Sequence, residues 1–121
     1  MDIQGQWALE LGTNMGLTPA GIIIFKSGRI VGGDSNHFYT GYYQIEPNDH
    51  INGSMEITNF KEEPISIFGK EAKYSVRLKG SYHVLQSDKS KRFQMILDSF
   101  LNDNPHHMVR LICEKQCAVN L

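Results

Sequence analysis

The residues best suited by type to hydrolytic chemistry are Asp34, Ser35 and His37, a carboxylate, a hydroxyl and an imidazole close together in the chain. Such groups act as orienter, nucleophile and base only when hydroxyl and ring converge within hydrogen-bond reach. Neighbours on an extended segment point to opposite faces instead. The spacing therefore fits a turn, with Asp34 or Ser35 accepting hydrogen bonds from nearby backbone amides. His106 and His107 follow Asn104-Pro105 and read as the solvent-exposed start of a strand. Cys113 and Cys117, placed on one strand, would face the same side with about 13 Å between Cα atoms, far beyond the disulfide range of about 4.4–6.8 Å. They read as free thiols, and the histidines offer no zinc-ligand spacing to join them. Neither a glycine-rich phosphate loop opening a helix nor a Gly-x-Ser-x-Gly elbow is present. These residues point away from catalysis and imply no cofactor and no metal.

Length and charge narrow the classes further. The chain has 121 residues and a formal net charge of −1. That length fits one domain, 1–121, and buries roughly two-thirds of the surface its unfolded form exposes, so folding needs no disulfide or metal. A nucleic-acid surface would need a basic face. The only cationic cluster, Lys89, Lys91 and Arg92, adjoins Asp88 and reads as a turn. Met1-Asp2-Ile3-Gln4-Gly5 lacks the regions of a secretion signal, and no apolar run nears the roughly 20 residues of a spanning helix. The expectation is a cytoplasmic protein that neither inserts in a membrane nor binds nucleic acid directly.

The elements that must position these side chains are strands. In Lys73 to Val84, Tyr74, Val76, Leu78, Tyr82 and Val84 share one face, and Lys73, Ser75, Arg77, Lys79, Ser81 and His83 share the other. Ile51, Gly53, Met55 and Ile57 alternate with polar residues, as do Trp7, Leu9 and Leu11. Turn residues punctuate the chain at Lys26-Ser27-Gly28-Arg29, where Gly28 supplies a positive φ, and at Glu46 to Asp49, Gln86 to Ser90 and Asn102 to Pro105. Strands are predicted near 4–12, 20–26, 29–33, 37–46, 50–60, 72–85, 91–101 and 107–117, a meander of about eight. Residues 62–69, opened by Glu62, Glu63 and Pro64 and ended by Gly69, fit either a short helix or an irregular loop.

Closing such a meander into an antiparallel barrel removes the strand edges that invite association. The last strand, Met108 to Ala118, is then expected beside the first, Gln4 to Leu11, with Cys113 buried and Cys117 more accessible. An eight-stranded barrel is either filled or holds one small ligand. The inward candidates Trp7, Leu9, Leu11, Met55, Ile57, Tyr74, Val76, Leu78, Tyr82, Phe93, Met95 and Leu97 are bulky and favour a filled one.

Two adjoining segments stand out. Gly32-Gly33-Asp34-Ser35 reads as a bend or bulge, its glycines taking the φ such a bend needs. In Phe38-Tyr39-Thr40-Gly41-Tyr42-Tyr43 both faces carry aromatics, Phe38 and Tyr42 on one and Tyr39 and Tyr43 on the other, with Gly41 leaving space for a neighbour. Cross-strand packing, a ligand wall and a dimer interface, where Tyr is enriched, all accommodate this pattern. A barrel buries only one face of each strand, so Ile22, Ile24, Phe38 and Tyr42 are the interface candidates.

Ile30-Val31-Gly32-Gly33-Asp34-Ser35, followed by Phe38-Tyr39-Thr40-Gly41-Tyr42-Tyr43, resembles the signature of the GrlR-like family, small proteins named for a negative regulator of type III secretion genes. Gly21 to Phe25 and Ser27-Gly28-Arg29 match that family's second and third strands in order. The resemblance covers the first half of the chain; beyond Phe60 it rests on length and strand rhythm. It implies a lipocalin-like eight-stranded barrel, usually a homodimer, that represses by capturing a transcription activator. Gly5-Gln6-Trp7 also resembles the Gly-x-Trp of lipocalin first strands, whose Trp closes one barrel end. Lipocalins pack a last-strand Arg over that Trp, but Arg110, the only candidate, alternates with Val109 and Leu111 as an outward residue would. The named regulator's partner loop carries four consecutive acidic residues. Here the matching loop, Glu46-Pro47-Asn48-Asp49-His50, keeps only Glu46 and Asp49 as partner-contact candidates. The leading expectation is a regulatory binding protein acting through its outer surface; the alternative is a carrier of a small apolar ligand in the barrel interior.

Overall fold

A computed structural model describes residues 3–13, 16–60, 72–88 and 91–117. Eight strands run in chain order: β1 (Gly5–Thr13), β2 (Gly16–Lys26), β3 (Arg29–Gly33), β4 (His37–Glu46), β5 (His50–Asn59), β6 (Lys73–Gln86), β7 (Lys91–Leu101) and β8 (Met108–Cys117). Each pairs antiparallel with its sequence neighbours, and β8 returns to β1, closing the barrel. Among the described residues there is no helix, and the expected helix or loop at 62–69 lies outside them.

Local chemistry sets the register. Ser27 and Gly28 both take left-handed φ, 49° and 81°, so a two-residue turn leaves Lys26 opposite Arg29. Asn48 and Asp49 do likewise at 65° and 60°, and the turn brings His50 opposite Glu46. β2 begins at Gly16, earlier than the pattern predicted, because Pro19 and Gly21 look like strand breakers. The pairing of β1 with β2 shifts between Ala8 and Glu10, with Ala20 and Gly21 spanning the irregularity. Gly21, at φ 84°, is the glycine that such a bulge requires.

Apolar side chains gather inside the barrel. Trp7, Leu9, Leu11, Met55, Ile57, Tyr74, Val76, Leu78, Met95 and Leu97 are all buried, with Tyr82 and Phe93 partly buried against them. Ile3, Ala20, Ile23, Phe25, Ile30, Tyr39, Tyr43, Ile51, Val109, Leu111 and Cys113 complete the core among the described residues. Val84 departs from its expected place and is 45 % exposed. The last pair between β5 and β6 is His50 with Ser81, so Val84 lies on a part of β6 that has run past the core.

One barrel end is plugged by rings. Trp7 meets Phe25 and Tyr82 edge-on, each at 6.4 Å between centroids, Phe25 meets Tyr43 at 5.3 Å, and Tyr82 stacks on Phe93 at 6.0 Å. Each such pair contributes about 0.5–1.5 kcal/mol beyond burial alone. The chain turns at Gly5, φ 149°, so that buried Ile3 accepts the Trp7 indole N–H at 2.9 Å. The last-strand cation over Trp7 is Lys115, whose Nζ lies 5.8 Å from the ring centre. Arg110 points outward and pairs with Asp98 at 2.8 Å.

Closure also explains Cys113, which is fully buried with its thiol pushed up to about 12 by loss of solvent. In a Cys117→Ser background, maleimide labelling of the folded protein near neutral pH should be at least about a hundredfold slower than in denaturant. Equal rates would mean that β8 frays from β1.

Candidate functional site

The sequence-predicted turn at Asp34 is a hydrogen-bonded brace. Asp34 Oδ1 accepts the amides of Asn36 and His37, both at 2.7 Å, and the Asp34 amide donates to the His37 carbonyl at 3.0 Å. The His37 ring packs beside the carboxylate, with Nδ1 at 3.2 Å from Oδ1, and stacks nearly parallel to Tyr39. The hydroxyl that meets the carboxylate belongs to Tyr39, which donates to Oδ2 at 2.8 Å, while Ser35 is exposed on the turn. Burial works to raise the Asp34 carboxyl, but the Asn36 amide, the Tyr39 hydroxyl and the His37 amide and ring outweigh it and hold it below its ordinary range. Burial, then the Asp34 hydrogen bond and charge, push the Tyr39 phenol far above its usual value. A carboxylate kept ionised and a phenol kept protonated together fasten the entry of β4 to the end of β3.

Gly32 and Gly33 end strand β3, and the turn itself is Asp34 to Asn36. Gly33 does not take the positive φ expected of it. What demands glycine is proximity, since a Cβ there would lie 2.6 Å from the His37 carbonyl oxygen. At Gly41 a Cβ would fall on the Ser54 carbonyl oxygen, so here too the strands approach more closely than a side chain allows.

That brace positions the outer face of β2, β3 and β4. Register places Ile22, Gly33, Phe38 and Thr58 in one row, Ile24, Val31, Thr40 and Glu56 in the next, and Lys26, Arg29, Tyr42 and Ser54 in a third. Ile22, Val31, Phe38 and Tyr42 are 43 %, 44 %, 50 % and 60 % exposed, and Ile24 is half-buried. The four interface candidates therefore share one surface, and Val31 joins them. Val31 was missed because flanking glycine hides its phase, yet it stands directly opposite Ile24. The Arg29 guanidinium lies 5.6 Å above the Tyr42 ring. Beside them an open groove of about 600 Å³ runs over β3 to β6, lined by Arg29, Val31, Gly41, Tyr42, Ser54, Glu56 and Ser75 among others.

The outside of β5 to β8 has a different character. Glu56 pairs with Lys73 at 3.1 Å, Glu114 with Arg92 at 2.7 Å, and Asp98 with Arg110 at 2.8 Å. Exposed pairs of this kind add little stability. They do mark a solvated surface, against which the apolar β2–β4 face stands out.

Glu46 and Asp49 lie apart from the Asp34 brace, at the other barrel end. Glu46 accepts the side-chain amide of Asn52, and the Asp49 carbonyl accepts the Tyr82 amide at 3.1 Å. Gly5 and Trp7 lie at that same end. No protein-family model matches the chain, and no curated protein matches it significantly.

Asp34→Asn keeps an oxygen for the two amides but removes the charge that Tyr39 meets, and should cost about 1–3 kcal/mol at neutral pH. The folded carboxyl titrates below its unfolded value of about 3.9, so its contribution is complete above that value and fades as pH falls through the folded one. Thermal melts of the two proteins should keep their full gap above about pH 4 and draw together as the pH falls further. A gap that stays constant into strong acid would contradict this assignment.

Proposed function

We propose that this protein is a regulatory binding module that works by protein–protein contact through the outer face of β2, β3 and β4. The observation that carries the reading is the contrast between an interior packed with side chains and an outer face that leaves Ile22, Val31, Phe38 and Tyr42 exposed in adjoining rows. Contiguous apolar surface of this kind marks interaction sites, and Tyr and other aromatics supply their energetic centres. The resemblance of Ile30–Ser35 and Phe38–Tyr43 to the GrlR-like signature supports the more specific reading, capture of a transcription activator by a negative regulator. Glu46 and Asp49 are that reading's further contact candidates. An interior carrier role has less support, because Trp7, Phe25, Tyr39 and Tyr43 occupy the space a ligand would take.

Affinity capture from native lysate tests the reading when paired with the double variant Phe38→Ser/Tyr42→Ser. The unaltered protein should retain a transcription activator in stoichiometric amount. The double variant should melt at the same temperature and bind that partner at least about thirtyfold more weakly, as loss of aromatic anchors predicts. Retention of the same partner at full level would overturn the assignment of this face.

A further inference from the structure

One edge of the apolar β2–β4 face carries positive charge that the fold does not balance. Lys26 stands opposite Arg29, Arg29 opposite Tyr42, Tyr42 opposite Ser54 and Ser54 opposite Arg77, a single line from β2 to β6. Residues in such a line share a face, and neighbouring strands lie about 4.8 Å apart, so the line is about 19 Å long. Among the described residues, Lys26, Arg29 and Arg77 make no ion pair with a carboxylate. The other two arginines of the chain do, Arg92 with Glu114 and Arg110 with Asp98. Like charges directly opposite, as Lys26 and Arg29 are, destabilise a sheet. The unbound protein therefore carries this line at a cost.

An apolar band runs parallel to it. Ile24 and Val31 lie one row away and Ile22 and Phe38 two rows away, about 7 and 14 Å along the strands. Glu56, the acidic residue beside this band, is already taken up by Lys73 at 3.1 Å. The groove over β3 to β6 adjoins both, lined by Arg29, Val31 and Tyr42 and by the small side chains of Thr40, Ser54 and Ser75. Within this wall each strand is paired on both sides, so no partner strand can be added there, and contact falls to side chains. An amphipathic helix binds in that way, and at about 10–12 Å across it covers the apolar band and the charged line together. A flat bilayer does not fill a groove, and a Tyr42 ring with Arg29 5.6 Å above it is poorly placed to stack on a base.

We propose that this face receives an acidic amphipathic helix of a partner protein, laid across the strands. Its apolar stripe rests on Ile22, Ile24, Val31 and Phe38, and its carboxylates meet Lys26, Arg29 and Arg77. The inference rests on the reading of the β2–β4 face as a partner surface and adds the chemistry of what binds. Arg29 and Arg77, on β3 and β6, stand about 14 Å apart, which a helix covers in about ten residues. Carboxylates separated by that interval reach both ends of the line. The Tyr42 ring restrains the Arg29 guanidinium, so less freedom is lost when a carboxylate takes its two N–H groups.

Fluorescence anisotropy with two labelled helical peptides of about 18 residues tests it, both with the same leucine stripe, one flanked by Glu and the other by Lys. The Glu peptide should bind at least about tenfold more tightly than the Lys peptide at low salt, and the preference should shrink as salt is raised. Arg29→Glu/Arg77→Glu, at two exposed sites, should melt like the unaltered protein and reverse the preference. Phe38→Ser/Tyr42→Ser should weaken both peptides. Equal binding of the two peptides that Phe38→Ser/Tyr42→Ser abolishes would overturn the proposal and leave the face as a partner surface. Equal binding that this double variant leaves intact would overturn both. Failure of the Glu peptide to bind, or tighter binding to phosphatidylserine vesicles or to oligothymidylate, would also overturn the proposal.

Discussion

The pairing of β1 with β8 is the constraint on which the rest depends. Seven pairings join strands that are neighbours in the sequence and by themselves would leave an open sheet with two long edges. The eighth joins residues about a hundred positions apart, from Gln6 opposite Cys117 to Gly12 opposite Arg110, and gives the sheet an inside. Once closed, the alternation along every strand acquires a meaning. Trp7, Leu9 and Leu11 meet Val109, Leu111 and Cys113 in a dry core, while Arg110 and Glu114 are left outside to pair with Asp98 and Arg92. The plugged end is a consequence too, since Trp7 and Lys115 stand opposite each other only because β8 returns to β1.

Most of this architecture was legible in the amino-acid pattern. Strict alternation in β5 and β6 identified Met55, Ile57, Val76 and Leu78 as core, and Ser27-Gly28 announced its turn because only left-handed φ values close so short a loop. The failures share a cause: pattern reports the phase of a residue but not how far along the barrel its strand is still covered. Val84 has the phase of Tyr82 yet lies past the end of β5, and β2 absorbs Pro19 and Gly21 through an overhang and a bulge that no local rule requires. The brace at Asp34 was half legible. Its bonds to the Asn36 and His37 amides follow from a short carboxylate in a turn, whereas the Tyr39 hydroxyl reaches it only once β4 folds back beside β3.

The outer surface divides in a way that core physics does not demand. A barrel of this size is held by its interior, so the outside of β2–β4 is free to carry any soluble set of residues. It carries Ile22, Val31, Phe38 and Tyr42, while β5–β8 carry ion pairs, with Val84, Leu85 and Met108 exposed toward the strand ends. Exposed apolar side chains grouped on adjoining strands favour association over solubility. The Asp34 brace and the close approaches at Gly33 and Gly41 hold those strands in a fixed register. A rigid wall presenting aromatics suits recognition, because little conformational freedom remains to be lost on binding.

On the reading proposed above, binding happens on the outer wall, and the rings around Trp7 leave no room for a ligand inside. Trp7, the only tryptophan in the chain, sits in that interior against Phe25 and Tyr82 and reports on anything that enters. Titrating the protein with an apolar ligand such as a long-chain fatty acid, while following Trp7 emission, tests the claim directly. A packed interior should give no saturable change in wavelength or intensity. A saturable shift at one ligand per chain would place a cavity beside Trp7 and contradict it.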